Sequence, residues 1–221
     1  MRIIHFNVVS STQTIARKYI HNKPVLVYSD IQTKGKGRQK RKWASEYGGF
    51  YGSFILKCNK EKAPALKMAY IINTYMRKRF KITSDIYYPN DIYFKGRKMG
   101  GIITNKIYNT LIAGVGININ QKGFNPELNA ISLMQIIEKH TDIKNFAQDL
   151  SIYVEDMWGK NIVLEDIEQA LYFPDDSVKI KLKTSIRSFN LKGLDENYNL
   201  IVSENNKYKI LKPFSITRII W

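Results

Sequence analysis

The sequence predicts an α+β protein: a central, mostly antiparallel mixed sheet flanked by helices, followed by a small all-β unit. Three features carry this expectation. Residues 85–118 form a run of short apolar segments separated by turn residues, the pattern of successive hairpins. Residues 63–80 space their apolar side chains at helical intervals. Residues 174–221 then break into five short alternating segments, close to the minimum for a strand-barrel module. A chain of 221 residues suits one large domain carrying such an appendage, and the boundary is expected near Phe173, giving units 1–173 and 174–221.

Taken in order, IIHFNVV (3–9) is apolar and β-branched and reads as a strand. Ser11 and Thr12 offer an N-cap for a helix over TQTIARKYIHN (12–22), with Ile15, Tyr19 and Ile20 on one face. Asn22, Lys23 and Pro24 end it, and VLVYSDI (25–31) is the next strand. TKGKGRQKRKWASEYGG (33–49) is too polar and Gly-rich for a regular element, while FYGSFILKC (50–58) reads as a strand. The helix at 63–80 carries Leu66, Ala69, Tyr70, Ile72, Met76 and Phe80 on its apolar face. Strands follow at DIYYPNDIYF (85–94), MGGIITNKI (99–107) and TLIAGVGININ (110–120), with turns at 95–98 and at Tyr108-Asn109. Helices are expected around ISLMQIIEKH (131–140) and from about Asn145 to Trp158. Beyond Pro174-Asp175-Asp176 lie SVKIKLK, SIRSFNLKGLD, NLIVSE, KYKILK and SITRII, the five strands of the appendage.

Composition narrows the function classes. Hydrophobic residues make up 44% of the chain, enough for a packed core, which argues against disorder. Lys and Arg number 35 against 19 Asp and Glu, a formal charge of +16, so an anionic partner is expected: nucleic acid, a nucleotide, a membrane surface or an acidic protein. The single cysteine, Cys58, excludes an internal disulfide and a multi-cysteine metal site, consistent with a reducing, cytoplasmic setting. Three scattered histidines make a His-rich zinc site improbable. No apolar run approaches the roughly 20 residues of a membrane span, and the first residues lack a signal-peptide cleavage pattern.

Residues 33–42 are the most unusual segment. Six of the ten are cationic, none is acidic, and Gly35 and Gly37 stand two apart. Glycines let backbone N–H groups turn inward, and Arg38 and Arg41 present planar forks to phosphate oxygens, with Trp43 adjacent as an aromatic face. A phosphate cradle, a nucleic-acid patch and a solvated basic loop all fit this composition. The Gly114–Asn118 stretch and Lys98-Met99-Gly100-Gly101-Ile102 are weak signals alone, since bulged or closely packed strands account for such glycines. Neither a P-loop nor a Ser/His/Asp order is present.

Together these pieces resemble the biotin protein ligases. The basic loop of that family, Gly-Arg-Gly-Arg followed by two variable positions and Arg-Lys-Trp, is similar to Gly35-Lys36-Gly37-Arg38-Gln39-Lys40-Arg41-Lys42-Trp43, with Ser45 and the 49–53 stretch after it. The Lys-Trp-Pro-Asn-Asp element resembles Tyr87-Tyr88-Pro89-Asn90-Asp91, and the Lys-hydrophobic-Gly/Ala-Gly-Ile element resembles 98–102. The Gly-hydrophobic-Gly-hydrophobic-Asn element resembles 114–118, and the early Ser-Thr-Asn resembles Ser11-Thr12-Gln13. Order and spacing hold from about residue 5 to 120, five ordered motifs being far more specific than one.

The resemblance implies a class II synthetase-like catalytic domain with an SH3-like C-terminal barrel. It implies an ATP-dependent ligase that joins biotin to AMP and passes the biotinyl group to a lysine of a biotin carboxyl carrier domain. ATP and Mg2+ accompany biotin as substrates, and no tightly bound metal is expected. Ser11, Thr12, Gln13, Gln32, Gly35, Lys36, Gly37, Arg38, Gly100, Gly101, Gly114 and Gly116 are then expected at biotin. Arg38, Arg41, Trp43, Asn90 and Asn118 are expected at ATP or the adenylate. The catalytic candidates are Arg38, Lys98 and Tyr87, the last standing where the family carries lysine. A phenol is uncharged at neutral pH, so Lys36 or Lys98 is expected to supply the missing charge. The basic loop is expected to order as its anionic ligand arrives. The chain starts almost at the catalytic domain, so sequence-specific DNA binding is not expected, whereas homodimers occur in the family. The alternatives are a non-catalytic biotin or nucleotide binder, a lipoate ligase (whose Arg-x-x-Gly-Gly-Gly stretch is not seen here) and a nucleic-acid-binding protein.

Overall fold

The computed structural model describes every residue except 23, 59, 60, 175, 176 and 221, and the side chains of all described residues but 40 and 218. A seven-stranded mixed sheet forms the body, in the order β1-β2-β3-β7-β6-β5-β4. Its strands are β1 (Arg2–Val9), β2 (Val25–Gln32), β3 (Gly49–Lys57), β4 (Asp85–Tyr87), β5 (Asp91–Phe94), β6 (Arg97–Ile107) and β7 (Thr110–Asn118). Only the β1–β2 pair is parallel; every other ladder in this sheet is antiparallel.

Strand alternation decides which side of the sheet becomes core and which becomes cleft. On β7, Leu111, Ala113, Val115 and Ile117 join the main core, together with Leu26 and Tyr28 of β2 and Phe50, Phe54 and Leu56 of β3. Helices α2 (Pro64–Phe80) and α4 (Ile143–Trp158) cover that face, meeting through Tyr75 and Phe146, whose rings pack edge to face at 5.5 Å. Pro64 sits in the first turn of α2, where its missing N–H is harmless, and Lys81 ends the helix in a left-handed conformation. The intervening residues face the other way. There α1 (Thr12–Ala16) packs Ala16 against Val25, Val27, Ile55 and Ile112, a second, smaller cluster. Beyond that cluster this face of β7 continues as Gly114, Gly116 and Asn118, with nothing larger than hydrogen at the two glycines. The cleft lies over them.

The second sheet is antiparallel and five-stranded, in the order β11-β10-β9-β8-β12, built from β8 (Val178–Leu182), β9 (Ile186–Leu194), β10 (Leu200–Glu204), β11 (Lys207–Leu211) and β12 (Ile216–Ile220). The ladders of the described residues do not include a pairing between its end strands β11 and β12. One continuous hydrophobic cluster runs from the large sheet into this one through Val178, Ile180, Phe189 and Leu200. Polar contacts reinforce the junction. The Tyr88 hydroxyl donates to Tyr198 O at 3.1 Å, and Leu194 N donates to Glu168 Oε1 at 2.7 Å.

Several sequence expectations are modified. The helix at 12–22 is a five-residue α1 followed by a single 3₁₀ turn, Arg17–Tyr19; the Lys23 expected at its end lies outside the described residues. The segment 85–94 is two strands, β4 and β5, separated by a turn with a cis Tyr88–Pro89 bond. The helix expected around 131–140 contracts to α3 (Leu133–Ile137), held at its start by a capping box between Ser132 and Gln135. A further helix, α5 (Leu164–Ala170), has too few residues for its period to register in the sequence. The expected boundary falls beside Asp175 and Asp176, which lie outside the described residues.

Candidate functional site

A cleft of about 820 Å³ opens over the glycine-lined face of β6 and β7. Its floor is set by register: Gly101 of β6 pairs with Gly116 of β7, and Ile103 pairs with Gly114. Gly114, Gly116 and Asn118 are successive cleft-facing positions on one strand, so they mark distance along the cleft.

At the Gly114 end the walls are polar but uncharged. Gln32 Oε1 accepts from Thr12 N at 2.8 Å and Thr12 Oγ1 at 3.1 Å, while its Nε2 donates to Ser45 Oγ at 2.9 Å. Thr12 Oγ1 also lies 2.9 Å from Ser53 Oγ. Gln13 lies flat on Gly114: a Cβ there would come within 2.9 Å of its Nε2, which donates to Ile103 O at 3.3 Å. This is a small set of fixed donors and acceptors against an otherwise apolar floor, suited to a neutral polar ring system.

The middle and far end are cationic. Lys36, Arg38, Arg41, Lys42 and Lys98 line the cleft, against the carboxylates of Glu46 and Asp91. Lys98 Nζ donates to Asp91 Oδ2 at 2.6 Å and sits 5.3 Å from the centre of the Trp43 indole. Its backbone is clamped, since Lys98 N bonds Asn129 O and Lys98 O accepts from Ile131 N and Asn118 Nδ2. Trp43 lies over the Gly101–Gly116 pair, with its Nε1 buried and without a hydrogen-bond partner among the described residues. Arg38 donates to Asn90 Oδ1 at 3.1 Å, and burial is the main cause lowering its pKa from the ordinary value, with Asp91 opposing that.

The basic loop is more regular than its composition suggests. Gly37 N bonds Arg41 O at 2.7 Å, Trp43 N bonds Gly35 O at 3.0 Å, and Lys36 bridges Lys42, so the loop is a short hairpin tipped by a 3₁₀ turn, Arg38–Lys40. Gly35 is required by proximity: a Cβ there would lie 2.5 Å from both Ser45 Oγ and Trp43 O.

Most sequence-derived candidates therefore meet in one place. Ser11, Thr12, Gln13, Gln32, Lys36, Gly37, Arg38, Arg41, Trp43, Asn90, Lys98, Gly101, Gly114, Gly116 and Asn118 all line the cleft. Three do not. Gly35 packs behind the hairpin, and Gly100, one residue from Gly101, points to the opposite face toward Gly116 O and Ile117. Tyr87 lies at the far edge of the sheet on β4, stacked between Tyr93 at 3.9 Å and Tyr172 at 4.6 Å. The sequence reading passed over Asp91, Tyr51, Gln121, Phe124 and Leu128, which also line the cleft. Asp91 closes the Tyr87–Asp91 motif, whereas 121–128 belong to a connection without a motif. Among the described residues, no cluster of three His, Cys, Asp or Glu side chains is placed to hold a metal ion. Both oxygens of Asp91 are engaged, by Lys98 and by Asn90.

The profile of the Biotin/lipoate A/B protein ligase family matches residues 5–121. The bifunctional ligase/repressor BirA of Bacillus subtilis is 34% identical over 170 residues, covering 69% of this chain and 52% of that protein. Biotin--protein ligase 2 of Arabidopsis thaliana is 30% identical over 139 residues, 56% of this chain and 42% of that one. The chain thus spans about half the length of the curated relatives it matches. Among solved structures, the Aquifex aeolicus biotin protein ligase in complex with biotin and ATP superposes with a TM-score of 0.88 at 25% identity, covering 98% of this chain and 97% of that one.

Proposed function

Because the chain belongs to the Biotin/lipoate A/B protein ligase family, we propose that it is an ATP-dependent biotin protein ligase. The observation that carries this reading is the division of one cleft into an uncharged polar end at Thr12, Gln13 and Gln32 and a cationic stretch at Arg38 and Lys98. A small neutral ring system bearing a carboxylate, and a triphosphate, can meet there with their reacting groups among the cations.

In the first step a biotin carboxylate oxygen attacks the α-phosphorus of ATP, forming biotinyl-5′-AMP and expelling pyrophosphate. In the second, a lysine amine of a carrier domain attacks the mixed anhydride carbonyl and releases AMP. Carboxylate and triphosphate repel each other, so the protein's task is to hold both within reach and to balance their charge. Lys98 is placed for this: its backbone is fixed on both sides and its ammonium faces the cleft beside Asp91. Arg38 and Arg41 add guanidinium donors suited to phosphate oxygens. Trp43 and Asn118, which also line the cleft, are proposed to receive the adenosine. With both Asp91 oxygens engaged, the lining does not fit a resident metal ion, and no step is assigned to one; Mg2+ is proposed to arrive with the triphosphate.

The excess of cations favours encounter with ATP and an acidic carrier domain, so transfer slows as salt rises. No helix among the described residues is long and apolar enough to cross a membrane. We place the reaction in the cytoplasm, where the lone, buried Cys58 stays reduced. The test of the first step is exchange of labelled pyrophosphate into ATP. Exchange that requires biotin supports the reading; exchange without biotin, or none, contradicts it.

A further inference from the structure

Arg38 is held from an unexpected direction. Besides Asn90, its guanidinium donates to Pro213 O at 2.9 Å, in the turn that leads into β12 of the C-terminal sheet, and to Ile216 O at 3.2 Å, on the first residue of that strand. All three acceptors are neutral. A carboxylate in their place would fix the group equally well but cancel its charge, whereas carbonyl and amide oxygens orient the fork and leave the positive charge for an anion in the cleft. The neighbouring Gln39 donates its Nε2 to the same Ile216 O at 3.3 Å. Its backbone there is left-handed, φ 54 and ψ 40, which is uncommon for a residue other than glycine. In the basic motif this position is one of the two variable ones, so neither the motif nor the cleft lining assigns Gln39 a role.

We propose that Gln39 is a positioning residue: by anchoring the tip of the basic hairpin to the Ile216 carbonyl, it makes the C-terminal sheet part of the support that aims Arg38 into the cleft. This rests on the ligase reading for what Arg38 acts upon. The contact spans 177 residues of sequence and joins the tip of the hairpin to the second sheet. Gln39 is exposed, is not part of the cleft lining, and directs its carboxamide to Ile216 rather than to the uncharged polar end. Its removal is therefore expected to act on Arg38 and leave the biotin end intact.

The test compares the full-length chain with Gln39→Gly and Gln39→Asn. Glycine accepts the left-handed backbone, so that variant removes the carboxamide without adding strain, and asparagine keeps a carboxamide donor on a backbone it tolerates. Hydrogen exchange of residues 214–217 is measured in the ligand-free chains, and the kcat and KM of biotin-dependent pyrophosphate exchange are measured alongside. The expected result for Gln39→Gly is exchange about five- to tenfold faster at 214–217 and a similar fall in kcat, with KM for biotin unchanged and Gln39→Asn intermediate. Wild-type behaviour of Gln39→Gly in either the hydrogen exchange or kcat overturns the proposal. If the wild-type chain itself shows no biotin-dependent exchange, the ligase reading fails, and the positioning role with it. An active wild type with an unaffected glycine variant removes this inference alone.

Discussion

A side chain at Gly116 would place its Cβ 2.6 Å from Nε1 of Trp43, closer than any real contact allows. The indole therefore rests directly on the strand, and the glycine is what admits it. A Cβ at Gly101, paired with Gly116 across the ladder, would come within 3.1 Å of the same ring. Gly116→Ala is expected to push the indole off the floor and cost about 1–3 kcal/mol in stability. Calorimetric ATP binding and thermal unfolding check this. With Trp43→Ala added, the alanine at 116 should no longer destabilise, while nucleotide binding stays weak, because removing the colliding partner relieves the clash without restoring the aromatic face.

Lys98 is paired with Asp91, and its backbone is clamped through both N and O at the cleft. Lys98→Met keeps the stem and removes the charge. Its adenylation rate is expected to fall about 10²- to 10³-fold, the scale of losing one preorganised electrostatic contact. Biotin affinity should change far less, since the polar network around Gln32 does not involve Lys98. Rapid-quench measurement of acyl-adenylate formation separates the two effects.

Tyr87 occupies the motif position where lysine was expected, but its ring is buried between Tyr93 and Tyr172 rather than over the cleft. Tyr87→Phe preserves the stack and should leave kcat within about twofold of wild type, with stability altered by about 1 kcal/mol or less. Tyr87→Lys should lower the melting temperature, because an ammonium replaces a stacked ring in a buried site. A large rise in adenylation rate for the lysine variant would show that this position does reach the reacting groups.

Asp85, two residues before Tyr87 on the same edge strand, has its pKa raised by burial. A folded-state pKa above the unfolded one means the folded chain binds the proton more tightly. Its contribution is thus fully present below the unfolded pKa and lost as pH rises through the folded value. Asp85→Asn should therefore raise the melting temperature at pH 7, with the difference from wild type closing at about pH 3, below the ordinary Asp range. Thermal unfolding across that interval checks the sign.

The sheet was readable because period-two alternation survives in β7, where TLIAGVGIN places Leu, Ala, Val and Ile on one face and the two glycines and Asn118 on the other. The basic hairpin and the β6 and β7 motifs led to most of the cleft for the same reason: charge, glycine and aromatic residues are local signals. What escaped depends on distance in space. Gly100 and Gly101 are equivalent in composition, and only strand register separates them. Tyr87 matched a motif position, but the turn at Tyr88–Pro89 divides that segment, and the tyrosine partners come from β5 and from residue 172. The carbonyls that hold Arg38 lie some 175 residues away and are backbone atoms, which leave no trace in side-chain pattern.

The most direct measurement mixes the purified chain with biotin, MgATP and a biotin carboxyl carrier domain and weighs the carrier by intact mass spectrometry. The account predicts a gain of one biotinyl group per carrier that requires ATP and disappears when the carrier's acceptor lysine is replaced. A carrier that keeps its mass while biotin and ATP are both bound would contradict it, and would make the cleft a binding site without the transfer chemistry.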